Sequence, residues 1–188
     1  MKAIGIIGSP RKNGNTELIT AHTLQAIAEE ELDTELIRLA GLDIRPCTAC
    51  MVCRQEDEKC PIRDDLLPIY HRMKAADAII LASPVYYGSA TALMKALIER
   101  TGYIAMPKKV FAGKIGGPLV VARRAGKNFT FAELMYWFHI NGFMMPGSTY
   151  WNVAIGREKG EVEGDTEGMN TAWNFGKNIA FLMKKLRG

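Results

Sequence analysis

The chain has 188 residues, 48% of them hydrophobic and 23% charged, with a formal net charge of +4. That length suits one domain with a sizeable core, and the mild positive balance suits anionic small molecules or acidic partner proteins without arguing for nucleic acid. No apolar run approaches the roughly 18 residues of a membrane helix. The amino-terminal apolar run stops at Gly8-Ser9-Pro10, so it reads as a strand and not a signal peptide, and a cytoplasmic protein is expected.

The run Ala3-Ile4-Gly5-Ile6-Ile7 predicts a buried parallel strand. It leads into Gly8-Ser9-Pro10-Arg11-Lys12-Asn13-Gly14-Asn15-Thr16, and a helical pattern follows to about residue 30. A strand, a Gly/Ser/Asn-rich turn and a helix start together make an anion site, because free backbone N–H groups and the positive end of the helix dipole meet there. Ser9, Asn13, Asn15 and Thr16 can add side-chain donors, and Arg11 can grip a phosphate at two points. The spelling is not a Walker loop, since Asn15 stands where that motif needs Lys. It is not G-x-G-x-x-G either, so a single terminal phosphate fits better than a dinucleotide.

Leu18, Ile19, Leu24 and Ile27 give the first helix its apolar face. Residues 34–39 read as a second strand. An irregular segment over 41–63 holds every cysteine, and Asp64 or Asp65 is expected to cap a short helix through residue 73. Residues 77–82 form a third, buried strand that ends in Ser83-Pro84-Val85-Tyr86-Tyr87-Gly88-Ser89. A helix over 90–101, a strand over 114–122 and a carboxyl-end loop over 123–127 follow. Thr130 and Glu133 predict a capping box with Phe129 and Leu134 as its staple. The helix they open runs to about residue 140 and is apolar nearly all round, which suits burial or a subunit interface. A fifth strand is expected over 144–152, a loop over 156–164 and a final helix over 166–187.

Strands alternating with helices predict an α/β, doubly wound, five-stranded parallel sheet of flavodoxin-like order 2-1-3-4-5. Ligands of such sheets bind outside the carboxyl ends of the strands, at the switch point between the first and third. That brings 8–16, 83–89 and 123–127, with Arg123, around one crevice. Pro84, Val85, Tyr86 and Tyr87 offer flat apolar surface, and Gly88 lets backbone approach closely. With a single-phosphate site, this predicts flavin mononucleotide (FMN). No Ser/His/Asp or Cys/His constellation is visible, so no side chain is assigned as catalytic and the cofactor would carry the chemistry.

Cys47, Cys50, Cys53 and Cys60 fall in the pattern C-x2-C-x2-C-x6-C, with Pro61 after the last. Three cysteines at two-residue gaps, a fourth further on and a following proline are similar to the bacterial ferredoxin run and point to a [4Fe–4S] cluster. Zinc, which more often takes two C-x-x-C pairs across a longer spacer, remains open, as do redox-active thiols and disulfides. Arg54 and Lys59 are placed to offset thiolate charge, while Glu56, Asp57 and Glu58 are expected to face solvent.

Taken together, the segment 8–16, the cysteine run followed by Asp64-Asp65, and Ala76-Asp77-Ala78-Ile79-Ile80 leading into Ser83-Pro84-Val85-Tyr86 resemble the iron–sulfur flavoproteins. These lie within the wider NADPH-dependent FMN reductase group. The resemblance implies one FMN-binding domain over 1–188 with a cysteine-rich insertion at about 41–63, a homodimer or tetramer, and a cluster close to the flavin of a neighbouring subunit. It implies that Ser9, Arg11, Asn15 and Thr16 hold the phosphate, that Pro84, Val85, Tyr86 and Gly88 line the ring, and that Cys47, Cys50, Cys53 and Cys60 ligate the cluster. The expected activity is an oxidoreductase that moves electrons between a two-electron donor and a one-electron carrier such as ferredoxin. The rival expectations are a cluster-free NAD(P)H-dependent reductase of FMN or quinones, and a non-enzymatic zinc- or thiol-based binding protein.

Overall fold

The computed structural model describes residues 1–56 and 58–187. In chain order the elements are β1 (Lys2–Ile7), α1 (Asn15–Ala28), β2 (Asp33–Arg38), α2 (Val52–Gln55), α3 (Leu66–Ala75), β3 (Ala78–Pro84), α4 (Ala92–Ala105), β4 (Ile115–Ala122), α5 (Lys127–Ile140), β5 (Val153–Ile155) and α6 (Thr166–Arg187). Short 3-10 turns occupy Met106–Lys108 and Glu161–Gly164. The five strands form one sheet in the order β2-β1-β3-β4-β5, and every pair is parallel. The expected fold and strand order are therefore present.

The sheet is buried on both faces, which explains why its central strands read as continuous apolar runs. Period-two alternation sorts their side chains. Ile4, Ile6, Ile79, Leu81 and Val120 pack with Tyr70 and Met73 of α3, Met94 and Leu97 of α4, and Leu134 and Phe138 of α5. Ala3, Ile80, Ala82, Leu119 and Val121 pack with Ile19 and Ile27 of α1 and Phe175, Ile179 and Met183 of α6. Each such aliphatic or aromatic side chain, fully buried, contributes about 1.5–3 kcal/mol of transfer free energy.

The structure corrects three boundaries. The fifth strand is Val153–Ile155, not 144–152. Met144 makes an isolated bridge to Ile115, after which Pro146 and Gly147 interrupt the pairing. Because β5 is short, the first half of β4 lacks a strand on that side. That lets Pro118, which has no N–H to offer, sit in a sheet strand: its carbonyl accepts from the Asn152 side chain at 3.2 Å. The fourth helix does not stop near Gly102 but continues to Ala105. Gly102 serves close packing instead, since a Cβ there would lie 3.0 Å from the Trp137 indole nitrogen.

The third correction concerns α5. No capping box forms from Thr130 and Glu133. The helix starts three residues earlier, behind Gly126 at φ 85, and Thr130 sits inside it with its hydroxyl 3.3 Å from the Gly126 carbonyl. Phe129 is exposed, so no staple forms with the buried Leu134. Glu133 is drawn away by stronger partners. Its carboxylate accepts from the Ser89 hydroxyl at 2.9 Å and the Ala90 amide at 2.9 Å, and it pairs with Lys95 at 3.2 Å. The apolar circumference of α5 is half used. Trp137 and Phe138 are buried, while Phe129, Tyr136 and Ile140 are 77%, 73% and 69% exposed.

Candidate cofactor and cysteine sites

The carboxyl ends of β1, β3 and β4 converge on one crevice of about 240 Å³. Ser9, Arg11, Asn15, Thr16, Pro84, Val85, Tyr86 and Arg123 line it, so eight of the residues expected at a cofactor are together. Val121, Gly156 and Arg157 complete the wall.

The phosphate loop is built by tight local bonding. The Gly8 amide donates to the Ala82 carbonyl at 2.8 Å, and the Gly8 carbonyl accepts from the Thr91 hydroxyl at 2.7 Å. Thr91 also caps α4 through the Met94 amide. A Cβ on Gly8 would lie 2.9 Å from both the Thr91 hydroxyl and the Met94 Cβ, so the loop start needs glycine. At the helix start, the Glu17 and Leu18 amides donate to the Gly14 carbonyl at 2.9 and 3.0 Å. The Asn15 and Thr16 amides are left without an acceptor among the described residues, at the positive end of a 14-residue helix. Ser9 and Thr16, both buried, stand beside them. Free backbone donors and hydroxyls at a helix start are an arrangement that can receive an anion.

Two expected side-chain donors are placed otherwise. Asn13, at φ 51, gives its backbone N–H to the Glu17 carboxylate at 2.9 Å, and the residue is not among those that line the crevice. Glu17 also takes Arg38 at 2.5 Å, and that guanidinium holds its carboxyl below the usual range. The Asn15 side-chain amide is spent on the far wall. Its Nδ2 donates to the Glu158 carbonyl at 2.8 Å, and its Oδ1 accepts from the Gly160 and Val162 amides at 2.9 and 3.4 Å. Arg11 reaches the same wall through the Arg157 carbonyl at 3.0 Å, which leaves the rest of its guanidinium for an anion.

The ring-side loop is a tight turn. Tyr86 and Ser89 exchange backbone bonds at 2.9 and 3.1 Å around Tyr87 at φ 53 and Gly88 at φ 81. Two successive positive φ values suit Gly88 and strain Tyr87, whose side chain is fully exposed. Tyr87 and Gly88 line a shallower depression beside the crevice, with Arg123, Arg124 and Ala125. The turn is braced from behind by Glu133. Burial alone would raise the Glu133 carboxyl, but the Ala90 amide, the Ser89 hydroxyl and Lys95 together hold it below its usual range. Glu133 and Thr91 were not visible as site residues in the sequence, because both act through backbone that only the fold brings near.

All four cysteines are free thiols, and all four face one small cavity of about 50 Å³. The segment curls tightly: Ala49, Met51 and Glu58 have φ of 52°, 61° and 55°, and such strain gathers where a site demands it. The Ala49 amide donates to the Cys47 sulfur at 3.4 Å. Burial pushes the Cys53 thiol up, and the nearby Cys47, Cys60 and Cys50 push it the same way. Among the described residues, no group of three or more His, Cys, Asp or Glu side chains is drawn together tightly enough to hold a single metal ion. Four thiols ringing a cavity, with a buried cation beside them, are a donor set that fits an anionic multi-iron cluster.

That cation is not the expected Arg54 or Lys59. Arg54 lies over the Tyr103 ring, and Lys59, although it lines the same cavity, is exposed and pairs with Glu56 at 2.5 Å. Glu58 is turned inward to Tyr70 and Lys74, at 3.2 and 2.6 Å, instead of facing solvent; Asp57 lies outside the described residues. The charge beside the thiols comes from Arg100 of α4, whose guanidinium pairs with Asp64 and reaches the Cys60 sulfur at 3.3 Å. Arg100 was legible in principle. It stands three residues after Leu97 and four before Ile104, on the apolar stripe of its helix, where an arginine needs an acidic partner.

A family model described as NADPH-dependent FMN reductase matches residues 1–158. An iron–sulfur flavoprotein of Methanocaldococcus jannaschii is 38% identical over 194 residues, with both chains covered completely. One from Methanosarcina thermophila is 34% identical over 195 residues, covering all of this chain and 97% of the relative. Among solved structures, a WrbA-like flavodoxin of Agrobacterium tumefaciens superposes with a TM-score of 0.71 at 14% identity, covering 98% of each chain, which speaks for the fold alone.

Proposed function

Because this chain belongs to the NADPH-dependent FMN reductase family, and within it to the iron–sulfur flavoproteins, we propose that it moves electrons between a two-electron donor and a one-electron carrier, through FMN and a [4Fe–4S] cluster. That it is an FMN-dependent oxidoreductase follows from the family. The observation that carries the finer reading is the pair of sites on one chain: an anion cradle under a flat apolar loop, and four thiols around one cavity. No helix among the described residues is long and apolar enough to cross a membrane.

The residues divide the work. The Asn15 and Thr16 backbone N–H groups, Ser9 and Arg11 bind the FMN phosphate. Pro84, Val85 and Tyr86 seat the ring and keep water from one face, while Gly88 gives backbone access at its edge. Arg123 supplies positive charge near the crevice, which favours an anionic reduced ring. Cys47, Cys50, Cys53 and Cys60 hold the cluster. Bound FMN exchanges electrons in pairs or singly and the cluster exchanges them singly, so one donor oxidised by two electrons matches two carriers each reduced by one. We infer a homo-oligomer as well, supported by the exposed Phe129, Tyr136 and Ile140 on one helix.

The test is rapid mixing under anaerobic conditions. Reduction of the flavin by a reduced one-electron carrier at a rate well above that with NADPH supports the proposal. Immediate bleaching by NADPH in protein without iron supports the second reading, a cluster-free NAD(P)H-dependent reductase.

A further inference from the structure

Arg100 is among the largest fully enclosed side chains of the protein, only 1% exposed. A guanidinium so deep is expensive to desolvate unless its charge and donors are met. Asp64, equally buried, meets the charge. Nη1 bonds one carboxylate oxygen and Nη2 lies 3.1 Å from the other. Two carbonyls of the cysteine segment take further donors, Arg45 at 3.0 Å and Ile62 at 3.5 Å. The remaining contact is Nη2 to the Cys60 sulfur at 3.3 Å. Nε is buried without a partner.

Closing the segment does not by itself require a cation. Asp64 already takes the Arg45 amide at 3.0 Å and the Leu66 amide at 3.2 Å, and so ties the two ends of the segment to α3. Beyond its bonds to the Arg45 and Ile62 carbonyls, Arg100 adds a positive charge and an N–H···S bond on one of the four sulfurs. Other nearby cations are half exposed or paired on the surface, as Lys59 is with Glu56, and solvent screens them.

Resting on the cluster reading above, we propose that Arg100 sets the reduction potential of the cluster through Cys60, and that Asp64 limits how much of that charge the cluster feels. Reduction adds one electron to a thiolate-bound centre that is already anionic, and no atom is transferred. A buried positive charge and an N–H···S bond both favour the reduced form. Arg100 is thus a positioning residue: it acts through the Cys60 sulfur and does not ligate.

The test is a redox titration of the anaerobically purified holoprotein, followed by electron paramagnetic resonance, with iron and sulfide assayed on each sample. Arg100→Gln alone would strand Asp64 as a buried unpaired charge and can unfold the chain, so two other variants are used. Arg100→Lys keeps the charge. The double variant Asp64→Asn, Arg100→Gln removes both charges and leaves a neutral pair. With Arg100→Lys, the reduced-to-oxidised ratio at fixed potential should stay within about threefold of wild type. In the double variant, with iron retained, it should fall about tenfold, equivalent to about 59 mV for one electron. A double variant that keeps its iron and the wild-type potential overturns the proposal. So does equal loss of iron from both variants, which would make Arg100 a staple and no more. Wild-type protein without iron or sulfide overturns the cluster reading, and this proposal with it.

Discussion

Asn15→Ala separates two roles for the same side chain. By residue type, Asn15 is a phosphate donor. In the structure its amide clamps the segment after β5 to the start of α1, through two good hydrogen bonds at 2.8 and 2.9 Å and a weaker one at 3.4 Å. Each good bond contributes about 1 kcal/mol net, and stranding the Val162 amide, on a fully buried residue, adds about 1 kcal/mol. Better helix propensity of Ala returns about 0.5 kcal/mol. The sum is a loss of about 2–3 kcal/mol, or about 4–12 °C in Tm for a domain of this size. The assay is thermal unfolding of flavin-free protein by circular dichroism, beside FMN and riboflavin titrations by fluorescence. Asn15→Asp should recover part of the loss, because its oxygens still accept from the Gly160 and Val162 amides. A flavin-free Asn15→Ala protein with wild-type Tm but weakened FMN binding would refute the clamp and restore the direct phosphate role.

Arg11→Ala should weaken FMN by about 1.5–3 kcal/mol, roughly 10- to 150-fold, and leave riboflavin binding nearly unchanged, since a charge-assisted contact to the phosphate is what it removes; equal losses for both flavins would place Arg11 elsewhere. Tyr136→Glu, on the exposed face of α5, should shift the protein toward monomer in sedimentation with the flavin spectrum intact, and an unchanged mass would take α5 out of the interface. Stability should also depend on pH through Glu17 and Glu133. Both carboxyls are held below their usual range in the fold. Their contribution is therefore complete above the unfolded value of about 4.3 and is lost as pH falls through the lower folded-state values. Denaturant unfolding should show stability level from about pH 6 to 5 and dropping below about pH 4, with a shallower acid drop in Glu133→Gln. An identical acid drop in that variant would remove Glu133 from the account.

The fold was legible because its signals are local and agree with one another. Ala3–Ile7, Ala78–Ala82 and Leu119–Ala122 are apolar without interruption, as strands buried on both faces must be, and the helices between them repeat with the right period. The strand–turn–helix start that walls the crevice was legible for the same reason, since glycine, hydroxyl and amide residues sit where strand gives way to helix. What failed depended on contacts between distant parts of the chain. Glu133 looks like a capping residue until Ser89, Ala90 and Lys95 compete for it. Residues 144–152 include Thr149, Tyr150 and Trp151, which favour strands, but beyond the single Met144–Ile115 bridge β4 pairs with a further strand only from Val120 onward. Asn15 has the chemistry of a phosphate ligand, and only the return of the chain after β5 shows what its amide is bonded to. Arg100 required knowing that α4 packs its apolar stripe against the cysteine segment.

The central claim, FMN and a [4Fe–4S] cluster on one chain, is tested most directly by the ultraviolet–visible spectrum of anaerobically purified protein, with iron and acid-labile sulfide measured on the same sample. Flavin bands over a broad shoulder are expected, with about four irons and four sulfides per chain, as such a cluster requires. Flavin bands without iron or sulfide would contradict it and leave a flavin reductase with four free thiols.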